Sequence, residues 1–147
     1  MHRALNTGLP LINPQGGYYF VFQTGEPRYR KYDARGTLLF ERAIQGSELD
    51  AWLASQPTTW PSRRGARELP VVSPIVRTAT VDHAGNLWIA FTLPFTYVYD
   101  AEGEKSRVVQ FHAAGIILPT SLSFARDGTL LVTPGCYVFD PRPGKGS

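Results

Sequence analysis

The sequence predicts an all-β fold, built from consecutive four-stranded antiparallel sheets with one short helix at 47–55. Three observations carry this reading. A turn pattern recurs as Tyr32-Asp33-Ala34-Arg35-Gly36, Tyr99-Asp100-Ala101-Glu102-Gly103 and Phe139-Asp140-Pro141-Arg142-Pro143-Gly144. A second pattern precedes two of these copies, in Val81-Asp82-His83-Ala84-Gly85-Asn86-Leu87-Trp88-Ile89-Ala90 and Phe124-Ala125-Arg126-Asp127-Gly128-Thr129-Leu130-Leu131-Val132-Thr133. Short apolar, β-branched or aromatic runs flank each pattern, and corresponding positions stand about 40 residues apart, the period of a four-stranded repeat.

The middle unit is the clearest. Ile75 to Val81 is rich in β-branched residues and reads as a strand. Asp82 to Asn86 is a turn in which Gly85 or Asn86 takes a positive φ. Leu87 to Phe91 is continuously apolar, which predicts a strand buried on both faces. A loop at 92–96 leads to a third strand at 97–99. Asp100 to Gly103 has Asp first and Gly fourth, as a type I turn prefers. A polar fourth strand, Ser106 to Phe111, suits an outer, half-exposed position.

The other units follow the same order. The first has strands within 5–12, at 17–22, at 28–32 and at 37–44, the earliest weakened by Pro10 and Pro14. The third has strands at 120–124, 129–133 and 136–139, with no fourth. The units divide the chain into 5–44, an insertion at 45–74, 75–111 and an incomplete 120–140. In the insertion, Ser47 to Ser55 reads as a helix with Ser47 as N-cap and Asp50 answering it, and Leu49, Trp52 and Leu53 share one face. Trp60, Arg63, Arg64 and Arg67 follow in a loop, the best candidates in the sequence for contact with an anionic partner.

Composition sets bounds. The 147 residues make one domain, and a 43% hydrophobic content is enough for a packed core. The net charge of +3 is mild and comes mainly from Arg. It fits a solvated surface better than a nucleic-acid partner, and the mixed basic and aromatic stretch Arg28 to Tyr32 reads as a strand whose long charged side chains cover a solvent face. The single cysteine, Cys136, excludes an internal disulfide and a cysteine zinc cage, and its strand setting predicts a buried structural thiol. No apolar run reaches the length of a membrane span. The first residues lack an apolar signal region, and the compartment is left open.

Four-stranded units of this period argue for a β-propeller. The pattern around Gly85-Asn86-Leu87-Trp88-Ile89-Ala90 and Tyr97-Val98-Tyr99-Asp100 resembles the blades of six-bladed propellers of the NHL-repeat and gluconolactonase/regucalcin type, over about Gly16 to Asp140. Three blades are about half of such a ring. Either the chain is part of a longer propeller, or two copies close head to tail. In both cases the isolated chain should self-associate through exposed blade faces.

A propeller offers its ligands one rim. The polar residues expected there include Glu26, Arg77, Thr96, His112, Thr120 and Ser121, as contacts for a protein or small ligand. No catalytic residues and no metal ligands emerge. The Asp residues of the repeat read as turn caps, His83 as a solvated turn residue, and there is no Gly-x-Ser-x-Gly elbow or phosphate-binding glycine pattern. The expected function is a non-enzymatic binding module without a cofactor. The alternative implied by the resemblance is a lactonase- or esterase-like hydrolase. It would use a divalent metal, on a site completed by further blades or a second chain.

Overall fold

The computed structural model describes residues 7–55, 74–111, 115–116, 118–135 and 137–141. They form three antiparallel sheets, each a meander of sequential strands. Sheet I holds β1 (Gly8–Ile12), β2 (Tyr18–Phe22), β3 (Arg28–Tyr32) and β4 (Leu38–Ala43). After α1 (Ser47–Ser55), sheet II holds β5 (Val76–Val81), β6 (Leu87–Phe91), β7 (Thr96–Tyr99) and β8 (Lys105–Val109). Sheet III holds β9 (Ser121–Phe124), β10 (Leu130–Thr133) and β11 (Tyr137–Phe139). Among the described residues no helix is long and apolar enough to cross a membrane.

The sheets pack face to face with sheet II in the middle. One face of sheet II, carrying Leu87, Ile89, Phe91, Tyr97 and Tyr99, forms a core with Tyr19, Val21 and Tyr29 of sheet I. Its other face, carrying Trp88, Ala90 and Val98, forms a second core with Leu122, Leu130 and Val132 of sheet III. This is why β6 has no polar residue: every one of its five side chains is buried. The first strands are neighbours, since β5 touches β1 on one side and β9 on the other.

Five hairpin turns share one geometry. In the turns starting at Asn13, Asp33, Asp82, Asp100 and Ala125, the first residue's N–H donates to the carbonyl of the fifth, and the fourth residue's N–H donates back to the carbonyl of the first. The fourth residue is always Gly, at φ between 85 and 110°, which is the type I turn with a following bulge that suits antiparallel strand twist. Side chains reinforce the backbone. Oδ1 of Asp33, Asp82 and Asp100 each accepts two backbone N–H groups of its own turn. Ala125 stands where the others have Asn or Asp, and there Asp127 accepts from the Thr129 N–H and hydroxyl instead.

Several details depart from the sequence expectation. β1 forms despite its prolines because it is an edge strand, where Pro10 withholds no N–H from a second neighbour, and Pro14 sits in a turn. The last strand of sheet II covers 105–109 rather than 106–111. The helix cap is Gly46, not Ser47: the Gly46 carbonyl accepts the Asp50 N–H at 2.8 Å. A Cβ at 46 would crowd the Tyr97 hydroxyl and Lys105 Nζ, so a larger residue there would have to displace both. Lys31 does not cover a solvent face. Its ammonium crosses to sheet II and donates to the Ala101 carbonyl at 2.6 Å, while lying over the Tyr19 and Phe40 rings. Leu49 is buried as expected and Trp52 packs on the core, but Leu53 turns to solvent.

Burial pushes the Tyr19 hydroxyl up to about 12, with the charges of Asp100, Asp82 and Glu102 adding to the effect. Burial, as the largest cause, also raises Tyr29, Tyr97 and Tyr99. Each phenol therefore holds its proton more tightly in the folded chain than in the unfolded one, where it ionises near 10. Stability from this source is complete below about pH 10 and is lost as pH rises through 12. Phenolate absorbance from these residues should appear together with loss of the β circular dichroism signal, not before it. The turns yield a second expectation. Asp82 also accepts from Asn86 Nδ2 and Trp88 Nε1, whereas Asp33 serves its turn alone. Asp82→Ala should cost about 2–3 kcal/mol and Asp33→Ala about 1 kcal/mol in chemical unfolding.

Candidate functional site at the loop rim

Each meander has two ends. The five matching turns gather at one, the turn rim. The loops of variable length gather at the other, the loop rim.

The turn rim is occupied with holding the sheets together. Tyr19 donates its hydroxyl to the Gly85 carbonyl at 2.9 Å and Tyr29 to the Gly103 carbonyl at 3.3 Å, both buried. Gln15 Nε2 donates to the His83 carbonyl at 2.6 Å. On the other side of sheet II, Arg107 lies over the Trp88 ring and donates to the Pro141 carbonyl at 3.0 Å. The carboxylates of Asp33, Asp82 and Asp100 are engaged within their own turns, and the His83 ring stands at an exposed position.

The loop rim is held differently. The Gln23 carbonyl accepts the Ile75 N–H at 3.0 Å and the Ile75 carbonyl accepts the Thr92 N–H at 2.9 Å, so backbone links tie sheet I to the β6–β7 loop. Helix α1 packs on the sheet I–sheet II core. Leu49 is buried there, and the Tyr97 hydroxyl donates to Glu48 Oε2 at 2.8 Å. The Glu48 carboxyl is held below its ordinary range, first by its own backbone N–H and then by Tyr97. Lys105 completes this anchor, donating to the Gln45 carbonyl at 3.0 Å with its ammonium over the Tyr97 ring.

Five of the six residues expected at this rim lie among the described ones. Glu26 is exposed in the β2–β3 loop. Arg77 is exposed at the start of β5, where the pairing register shifts between Val76 and Thr78. That bulge leaves Arg77 without an opposite residue and turns it away from the core on both sides of which β5 packs. It has no ion pair among the described residues. Ser121 is exposed at the start of the adjacent β9, with its hydroxyl 2.7 Å from that of Thr133, which is 2.8 Å from that of Thr120. Thr96 is different: it is fully buried, and its hydroxyl has no hydrogen-bond partner among the described residues. His112, Trp60, Arg63, Arg64, Arg67 and Cys136 lie outside the described residues.

Among the described residues the rim thus offers a guanidinium and a carboxylate without an ion pair, and a row of three linked hydroxyls. The Ser121 hydroxyl is bonded to another hydroxyl, and among the described residues it has no adjacent base that would make it a nucleophile. Among the described residues, no three His, Cys, Asp or Glu side chains are grouped to hold a metal ion. Sequence reasoning found Arg77 and Ser121, but not the bulge that frees the first or the Thr133 bridge that joins the second to Thr120. Both depend on strand register, which nothing local in the sequence encodes.

No family model matches this chain, and no curated protein matches it.

Thr96→Val keeps the shape of the side chain and removes an unpaired buried hydroxyl. It should hold or raise the free energy of unfolding, by about 1 kcal/mol. A loss of that size in chemical unfolding would show that the hydroxyl is bonded.

Proposed function

We propose that the three sheets are consecutive blades of a propeller of the NHL-repeat and gluconolactonase/regucalcin type, and that the chain is a non-enzymatic module binding a protein or small ligand at its loop rim. Support for the blade reading comes from the sequential meanders, the adjacency of β1, β5 and β9, and the face-to-face packing of each sheet on the next. In such a wheel β1, β5 and β9 line the central channel, which sets Arg77 and Ser121 at its mouth.

One observation carries the functional reading: the bulge in β5 leaves Arg77 exposed at the same end of the sheets as the linked hydroxyls of Thr120, Ser121 and Thr133. Among the described residues the Arg77 and Glu26 side chains have no ion pair, while the Asp33, Asp82 and Asp100 carboxylates are engaged in their own turns. Arg77 with the neighbouring hydroxyls favours a ligand bearing carboxylate or another oxyanion, such as an acidic peptide segment.

Nuclear magnetic resonance titration of the isotope-labelled chain with a glutamate-rich peptide tests this. Shifts should appear at Arg77, Thr120 and Ser121 and disappear in Arg77→Ala. Shifts confined to the Asp33, Asp82 and Asp100 turns, or none at all, would overturn rim binding. Steady hydrolysis of a lactone or ester, lost in Glu26→Gln, would overturn the non-enzymatic reading.

A further inference from the structure

Sheet II shows what each face of a sheet is for. The face carrying Leu87, Ile89 and Phe91 is buried by the sheet before it, and the face carrying Trp88 and Val98 by the sheet after it. The shared turns put the three sheets in register. Counting from the turn glycines Gly16, Gly85 and Gly128, Tyr18, Phe20 and Phe22 of sheet I fall at the positions of Leu87, Ile89 and Phe91. Leu131 of sheet III falls at the position of Trp88, and Val138 stands before Phe139 as Val98 stands before Tyr99. Of these positions Phe22 is buried and Phe20 half-buried under their own sheet's side chains, while the others are more open than their counterparts in sheet II. Tyr18 is 39% exposed and Ile12 83% on sheet I, Leu131 37% and Val138 63% on sheet III.

The open face of sheet I is built as an interface. Phe20 and Phe22 meet edge to face at 5.0 Å, and Tyr18 and Tyr32 pair at 6.1 Å. The Phe20 ring lies so close over β1 that a Cβ on Gly8 would stand 2.5 Å from it. Arg28 lies over the Phe22 ring at 4.3 Å, with its Nε buried and without a hydrogen-bond partner among the described residues, and Arg30 pairs with Glu41. The open face of sheet III offers the opposite complement. Leu131 and Val138 are exposed aliphatics, and Ser123 on the same face supplies a hydroxyl oxygen that can accept from arginine.

We propose that a second copy of this chain covers both faces: sheet III of one copy packs on sheet I of the other. The contact repeats the relation that sheet I already has to sheet II and sheet II to sheet III. Made twice about a two-fold axis, it closes the assembly. This inference rests on the blade reading above, since in a wheel both outer faces need cover, but it is independent of what the loop rim binds.

Analytical ultracentrifugation of the 147-residue chain tests it. The wild type should sediment as a dimer of about 33 kDa, twice the 16.3 kDa chain, at about 100 µM and below. Phe20→Glu and Val138→Arg should each give monomers. Mixed in equal amounts, they should recover a dimer, because one wild-type sheet III then meets one wild-type sheet I. Circular dichroism and cooperative melting establish that each variant is folded. Should Phe20→Glu not fold, Tyr18→Glu replaces it on the more exposed part of the face. A monomeric wild type overturns the proposal. So does a dimer that Val138→Arg leaves intact, which would mean sheet I pairing with itself, and so does open-ended polymer, which would mean the contact does not close. A monomer that still binds the acidic peptide through Arg77 removes this inference and leaves the rim reading standing.

Discussion

The structure depends on covering both faces of one strand. β6 runs Leu87-Trp88-Ile89-Ala90-Phe91 without a polar side chain, so whichever way its residues point they need an apolar neighbour. Sheet I provides that neighbour on one side and sheet III on the other. Large side chains fully removed from water contribute roughly 1.5–3 kcal/mol each, and this strand and its partner β7 carry half of the largest of them among the described residues. The stacked order of the sheets follows from that requirement. Hydrogen bonds refine it: Tyr19, Tyr29, Gln15 and Lys31 all donate to carbonyls in the turns of sheet II, fixing how far sheet I slides along its neighbour.

The turns explain how one chain makes similar sheets repeatedly. A glycine at positive φ sets the bulge, and a short polar side chain at the first position ties down the N–H groups that the tight turn leaves over. The Ala125 turn forms the same backbone bonds without that side chain, so glycine and strand twist set the geometry and the carboxylate strengthens it. The carboxylates of Asp33, Asp82 and Asp100 are accordingly committed to architecture.

Much of this architecture was legible in the sequence because its signals are local. The Asp-x-x-Gly spacing, the β-branched run at 76–81 and the unbroken apolar run at 87–91 each specify their element without reference to distant residues. The helix was found within its observed limits for the same reason, from apolar spacing at Leu49, Trp52 and Leu53. What could not be read depends on contacts across sheets. Nothing around Gly46 announces that the Tyr97 hydroxyl and the Lys105 ammonium will fill the space beside it. Lys31 looks like a surface residue until sheet II supplies a carbonyl within its reach. Thr96 begins a strand after a loop and resembles a rim residue, yet β7 is buried along its whole length. Of the candidate site, Arg77, Glu26 and Ser121 were named from the sequence, but not the bulge that exposes Arg77.

The bulge in β5 reconciles two demands on one strand. Val76, Ala79 and Val81 all enter the same core, although strict alternation would put Val76 on the opposite side from the other two. The additional residue corrects the parity, and Arg77 is that residue. Its backbone is indispensable to the phase of the strand, while its side chain has no ion pair among the described residues. Another charge, an amide or an aromatic at this exposed position would leave the hydrophobic interior undisturbed, so the character of this end of the strand is set independently of how firmly the protein is folded.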